Sequence, residues 1–359
     1  MKEIRAFLEL TSLCLLPLLV LFLALHRVPV PAEKATSAAV PAGNMAAPLS
    51  APRMAAVAAE RAGETQPASA AVSADERVSV RILTGDGTKT MTLRDYLIGV
   101  VAAEMPASFE PEALKAQAVA ARTDTVYRML VSHPHSDADC CADPGCCKAY
   151  SAPDELRAKW GESYEKWYGK ISAAVAETDG EILTYDGEPI FAAFHAASEG
   201  ATECSENVWL SALPYLRSVT TMETAADVPR FRETVTLTAS ELREKLTARC
   251  GDLALSEDPE SWLTDPVWSD SGRLLRVTAG GTSLSGTSLR SILGLRSAAV
   301  TWTYDGERFL FETAGYGHGV GMSQYGAEVM AASGLGHRDI LLHYYTGAAL
   351  NALSDVFPA

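Results

Sequence analysis

The sequence has too little positive charge for a nucleic-acid-binding module. It carries 30 Lys+Arg against 45 Asp+Glu in 359 residues, a formal net charge of -15, whereas duplex binding relies on basic surface that releases phosphate counterions. A dinucleotide turn is also missing. The one glycine-rich stretch, Gly315-Tyr316-Gly317-His318-Gly319-Val320-Gly321, lacks the G-x-G-x-x-G register and the Lys-Ser/Thr of a phosphate loop, and no regular βαβ alternation surrounds it. There is no nucleophile elbow, because Ala196 stands where that motif has its first glycine before Ser198. His195 three residues earlier then reads as a core histidine rather than a general base. No internal repeat is visible. Cysteine is sparse and uneven: of seven, Cys140, Cys141, Cys146 and Cys147 fall within eight positions, while Cys14, Cys204 and Cys250 stand alone. That distribution points to a local site.

Long apolar runs are confined to the start. Residues 6–25 follow a basic start (Lys2, Arg5) and just reach the length needed to span a bilayer. The run is read as an uncleaved single-pass anchor over residues 1–26. A cleaved signal peptide is the competing reading, but it would end at a small-x-small site, and His26-Arg27-Val28 follow instead. Lys2 and Arg5 before the run and Arg27 and Lys34 after it leave orientation open. Residues 27–77 are rich in Ala, Pro, Ser and Thr and carry no aromatic residue, so they cannot bury enough apolar surface to offset the entropy of ordering, and they read as a linker.

Order is expected from Val78, where alternation predicts a strand, a Gly85-Asp86-Gly87 turn and a second strand. Thr92 and Asp95 form a capping-box pattern for a helix ending before Pro106, and Pro111 opens a second helix through about residue 130. A helix over 154–178, strands over 181–185 and 190–195, and one helix at 240–250 in a polar stretch (221–270) follow. Strands at 274–279 and 301–313 and helices at 323–332 and 338–345 complete a mixed α+β domain spanning 78–359.

Three places could carry chemistry. Glu104 closes the apolar run Val100–Glu104 at a helix C-terminus, where burial and the negative end of the helix dipole both favour the protonated carboxyl. A general acid for glycosidic cleavage needs that property; the alternative is a surface glutamate paired with Lys115 or Arg122. His133 and His135 precede the four clustered cysteines, and His135, Cys141 and Cys147 are spaced six residues apart. Thiolate and imidazole donors suit zinc, while one or two disulfides are the rival in an oxidising compartment. The glycine-rich loop allows close backbone approach to a ligand beside His318, Ser323, Gln324 and Tyr325, or is a tight structural turn. Most tryptophans and tyrosines are core by default, with a few free to stack on sugar rings.

Taken together, YLIGVVAAEMPASFEPEALKAQAVAARTDT, HSDADCCADPGCCKAY, FHAASEGATECSENVWLSALPYLRSV and GHGVGMSQYGAEVMAASGLGHRDILLHYYTG resemble, in order and across about Val78–Leu350, the stage II sporulation protein D (SpoIID) family. The resemblance implies a membrane-anchored peptidoglycan lytic transglycosylase with an extracytoplasmic catalytic domain, acting in forespore engulfment. Its partners would be peptidoglycan glycan strands, a sporulation amidase (SpoIIP-like) and a membrane protein (SpoIIM-like). Glu104 maps to the family's catalytic acid, and His135, Cys141 and Cys147 to its zinc ligands, the zinc being structural. Arg122, Ser198, His318, Ser323, Gln324 and Tyr325 are the candidate substrate contacts. The implied reaction leaves 1,6-anhydro-N-acetylmuramic acid ends on glycan stripped of stem peptides. Cys140 and Cys146 are extra to the pattern, as possible ligands or a pair. Glu199 (usually glycine), Lys148 (usually glutamine), Asp124 (commonly aromatic) and Thr346 (usually proline) depart from it. The alternative is a non-catalytic cell-wall binding protein that recruits or stimulates an amidase. A zinc-dependent hydrolase would need an open metal position and a nearby base, for which the sequence offers no clear candidate.

Overall fold

A computed structural model describes residues 72–209 and 211–357. The anchor expected over 1–26, and nearly all of the expected linker, lie outside the described residues. No helix among the described residues is long and apolar enough to cross a membrane.

Alternation and caps account for the first elements. β1 (Ser79–Thr84) and β2 (Gly87–Thr92) form an antiparallel hairpin with Val80 and Ile82 fully buried. The Thr92 hydroxyl accepts the Asp95 N–H at 3.1 Å and so starts α1 (Leu93–Glu104). That helix is apolar nearly all round, and Tyr96, Leu97, Val100 and Val101 are accordingly fully buried. α2 (Pro111–Tyr127) begins at its proline and runs into a π-helical turn, Arg128–Ser132, closed by His133 in the left-handed region (φ 42°). β3 (Cys140–Cys141) lies parallel beside β1. The helix expected over 154–178 is two, α3 (Pro153–Trp160) and α4 (Tyr164–Glu177), because Gly161 takes a positive φ between them. β4 (Glu181–Tyr185) and β5 (Glu188–Pro189) form a second hairpin. The strand expected over 190–195 is reduced to β6 (Phe194–His195).

The stretch read as polar builds a second core. β7 (Arg232–Thr238), α5 (Ala239–Cys250), β8 (Leu263–Trp268), β9 (Leu274–Ala279), β10 (Thr282–Ser285), α6 (Gly286–Leu293), β11 (Val300–Tyr304) and β12 (Arg308–Ala314) supply two three-stranded sheets, ordered β10-β9-β8 and β11-β12-β7. Leu242, Leu246, Trp262, Val277, Leu289 and Phe311 form their apolar centre, distinct from the cluster around α1 and α2. The chain then returns to the first core through β13 (Met322–Ser323), parallel to β6, α7 (Gln324–Ala332), α8 (His337–Tyr344) and β14 (Ala349–Ala352), which pairs with β4. The architecture is α+β, as expected.

One buried ion pair corrects two expectations. Arg122 is fully buried and grips both carboxylate oxygens of Asp75, Nε at 2.8 Å and Nη2 at 2.7 Å, with further bonds to the Glu181 and Val175 carbonyls. It faces the packing between α2 and α4 and does not contact Glu104 or the cleft described below. Asp75 sits in a helical turn, Ala74–Arg77, N-terminal to the expected start of order at Val78. Removing one partner of such a pair strands the other charge. Arg122→Met is therefore expected to cost about 3–5 kcal/mol, read as a lowered urea midpoint at unchanged m-value; a loss below about 1 kcal/mol would show the pair to be dispensable.

Candidate functional site

Glu104 ends α1 on the wall of a cleft of about 400 Å³. Its Oε1 accepts the Ala149 N–H at 2.9 Å. Burial raises its pKa above the ordinary carboxylate range, an effect partly offset by the Ala149 bond, the Gln324 amide and the Lys148 charge. Neither expected surface partner reaches it: Lys115 pairs with Glu112 and Glu177, and Arg122 with Asp75. The other carboxyl lining the cleft, Asp124, is held by Lys148 and by Arg128 Nε at 2.8 Å, which keep it ionised despite full burial. Two departures from the family pattern, Asp124 and Lys148, are thus the two halves of one buried ion pair. Phe191 supplies an apolar wall, backed by Trp209 at 5.3 Å and Tyr127 at 5.8 Å between ring centres.

The cysteine loop folds its donors together. β3 pins Cys140 and Cys141 against Ile82 and Leu83 of β1, and the Asp143 carbonyl accepts the Cys146 and Cys147 N–H groups at 3.1 and 2.8 Å. The turn brings His135, Cys141, Cys146 and Cys147 into one cluster whose donor atoms all lie within 4.8 Å of one another. His135 Nε2 is 3.4 Å from Cys147 Sγ and 3.7 Å from Cys146 Sγ, and the two sulfurs are 3.9 Å apart. Cys146 thus joins the three expected ligands. Hydrogen bonding with the Cys140 thiol and with His135, and the nearby Arg128 charge, pull the Cys147 thiol toward thiolate. Cys140 is buried beside Tyr96, and all six described cysteines are free thiols. His133 is exposed and outside the cluster.

The glycine-rich loop is structural and also contributes to the cleft. Gly321, at φ 70°, lies where a Cβ would run into the Ala193 carbonyl, so glycine is what lets β13 pair with β6. His318 lines the cleft, and burial together with Arg290 and Arg273 pushes its pKa down to about 4, leaving a neutral imidazole. Ser198 and Ser323 are fully buried behind the wall: His195 Nε2 lies 2.5 Å from Ser198 Oγ, Arg273 Nη2 donates to that oxygen at 2.8 Å, and Glu223 accepts from the Ser198 N–H and the Ser323 hydroxyl. A hydroxyl so enclosed is a structural link and not a nucleophile. Gln324 sits beside Glu104, and Tyr325 packs edge-on against Phe109 at 5.0 Å.

Of the expected residues, the structure brings Glu104 and His318 to the cleft with Gln324 beside Glu104, and groups the three expected metal ligands. Arg122, Ser198, Ser323 and Tyr325 lie outside the cleft lining. Sequence reasoning missed Arg290, on a helix it did not anticipate, and Phe191. It also missed the Asp124–Lys148 pair, for which the opposite charges at two departures from the pattern were an available signal.

Fold and site together define an α+β protein with a single unpaired carboxyl in a cleft whose lining includes a member of an adjoining His/Cys cluster able to hold a metal ion. Residues 85–185 match the sequence profile of the family described as "Stage II sporulation protein". The chain is 40% identical over 273 residues to stage II sporulation protein D of Bacillus subtilis (strain 168), covering 75% of this chain and 77% of that one. It is 39% identical over 266 residues to the protein of the same name from Bacillus amyloliquefaciens, covering 73% and 75%. It is also 29% identical over 314 residues to the amidase enhancer of Bacillus subtilis (strain 168), covering 71% of this chain and 40% of that one. The chain belongs to the stage II sporulation protein D family.

Proposed function

We propose that the protein is a lytic transglycosylase that cleaves the bond between N-acetylmuramic acid and N-acetylglucosamine in peptide-stripped glycan strands during engulfment. The observation that carries this reading is the state of the two cleft carboxyls. Glu104 is half-buried, without a cationic partner in direct contact, and inclined to hold its proton; Asp124 is locked by Lys148 and Arg128. Hydrolysis by paired carboxylates needs a second free carboxylate to serve as base or nucleophile. An intramolecular route needs none. The Glu104 O–H protonates the glycosidic oxygen as the bond to muramic C1 breaks; the O6 hydroxyl of the same sugar forms the new bond to C1 and gives its proton to the Glu104 carboxylate. The acid is regenerated, and a 1,6-anhydro end and a free N-acetylglucosamine 4-hydroxyl result. The Ala149 N–H steadies the carboxylate in the intervening state, and the Phe191 face suits a sugar ring.

Zinc is the metal this donor set suits. Tetrahedral coordination at ordinary zinc–sulfur and zinc–nitrogen lengths gives edges of about 3.8 Å between sulfurs and about 3.6 Å between sulfur and nitrogen, close to the 3.9, 3.4 and 3.7 Å separations in the cluster. Four protein donors close the shell, which supports a structural role. Anchorage of the domain on the outer side of the membrane, and cooperation with an amidase and a membrane partner, belong to the same reading; the relative named amidase enhancer supports the amidase link. It equally favours the second reading, a cell-wall binding protein that stimulates an amidase without cutting glycan. Incubating the protein with peptide-free strands and examining products by mass spectrometry separates the two: 1,6-anhydro ends support the enzyme, and intact strands with stimulated amidase support the binder.

A further inference from the structure

We propose that Arg290 is the receptor for the lactyl carboxylate of muramic acid, and so the residue by which this cleft distinguishes stripped from peptide-bearing glycan. The inference rests on the transglycosylase reading for the identity of the sugar, and on three features of the cleft for the residue.

First, Arg290 lines the same cleft as Glu104 but comes from the second core. Second, it is held in place. Ser285 caps α6, Leu289 and Leu293 are buried, Gly286 packs so closely on the Leu274 carbonyl that a Cβ would collide with it, and the Arg290 Nε donates to the Leu295 carbonyl at 3.2 Å. The stem is fixed by that bond, and the terminal nitrogens have no hydrogen-bond or salt-bridge partner among the described residues. Third, its charge is uncompensated. Arg128 and Lys148, the other cations lining the cleft, are bound to Asp124. His195 and His318 are kept neutral by burial and by the positive charges around them, and Glu104 is inclined to be neutral too. Among the described residues that line the cleft, Arg290 is the one cation without a carboxylate.

A planar guanidinium in this state matches a carboxylate bidentately. Muramic acid carries one carboxylate of its own, on the lactyl ether at O3. While a stem peptide is attached that group is a neutral amide, and an amidase that removes the peptide restores the charge. A carboxylate could also come from the stem peptide itself, so the source has to be separated by experiment.

N-acetylmuramic acid has no glycosidic bond to break and can be titrated into the full-length wild-type protein by NMR, beside its neutral lactyl methylamide and the muramoyl dipeptide. The free acid should bind at least about tenfold more tightly than the methylamide or the dipeptide. Arg290→Met should remove that preference while leaving methylamide binding in place, and Arg290→Lys should keep part of it. Equal losses for acid and amide, unchanged binding of the acid, tighter binding of the dipeptide, or binding of no probe would each overturn the assignment. Because these titrations need no turnover, an absence of anhydro products in the wild type would count against the transglycosylase reading and leave this result standing.

Discussion

Glu104→Gln is expected to lower the yield of 1,6-anhydro ends from peptide-free strands by about 10²–10⁴-fold, the usual contribution of a positioned general acid. Glutamine fills the same space and keeps an oxygen to accept the Ala149 N–H, so the loss should appear in turnover with sugar affinity nearly unchanged. A variant releasing as much anhydro product as the wild type would eliminate Glu104 as the acid. The pH dependence follows from the same burial. The acid form begins the reaction, so the wild-type rate should fall as pH rises through the elevated pKa of Glu104. Burial raises this pKa, and the Ala149 N–H, the Gln324 amide and the Lys148 charge partly offset it. Stability carries the matching sign. Below the unfolded-state pKa the carboxyl is protonated in both states and its charge has no effect; at higher pH the unfolded chain ionises first and the folded state is penalised. Glu104→Gln should therefore gain melting temperature relative to wild type, increasingly so as pH rises from the unfolded-state pKa through the elevated folded-state one. A difference that does not grow with pH would contradict the assigned shift.

Removing the metal should have the other large effect. Purified protein is expected to hold close to one zinc per chain, and Cys147→Ser to lose it. At a thousandfold excess over its dissociation constant a ligand stabilises the native state by about 4 kcal/mol, so chelation should lower the melting temperature by roughly 10 °C in a domain of this size. Activity should fall as well, because Cys147, Lys148 and Ala149 are consecutive: the first belongs to the metal cluster, the second holds Asp124, and the third donates to Glu104. Metal-free protein with full activity and unchanged melting, or a Cys141–Cys147 disulfide in the native protein, would remove zinc from the account.

What could be read from the sequence was mostly local. Thr92 and Pro111 mark their helices because capping and proline stereochemistry act within a turn, and α1 shows itself as an unbroken apolar run. The second core was hidden because β7 and β8 alternate or expose polar residues, and because α6 is only eight residues long; Arg290 was hidden with it. Cys146 is extra to the family pattern and its role is open in the sequence, because only the fold shows that the turn at Asp143 presents neighbouring cysteines to one point. Arg122 looked available for substrate because its partner, Asp75, lies 47 residues earlier in a stretch whose composition reads as linker. The Ala149 N–H on Glu104 is a backbone contact across 45 residues, and composition and periodicity carry no trace of such contacts.

The Asp124–Lys148 pair limits how this protein can be recombined with its relatives. Residues 133–149 look like a transferable cassette, since they contain all four members of the metal cluster. Grafted onto a scaffold with an aromatic residue at the position of Asp124, the cassette would bury the Lys148 ammonium without its counterion, one residue from the Ala149 N–H that Glu104 accepts. The reverse graft would leave Asp124 to Arg128 alone. A functional chimera therefore has to exchange a residue of α2 together with the loop, although the loop itself does not contain it.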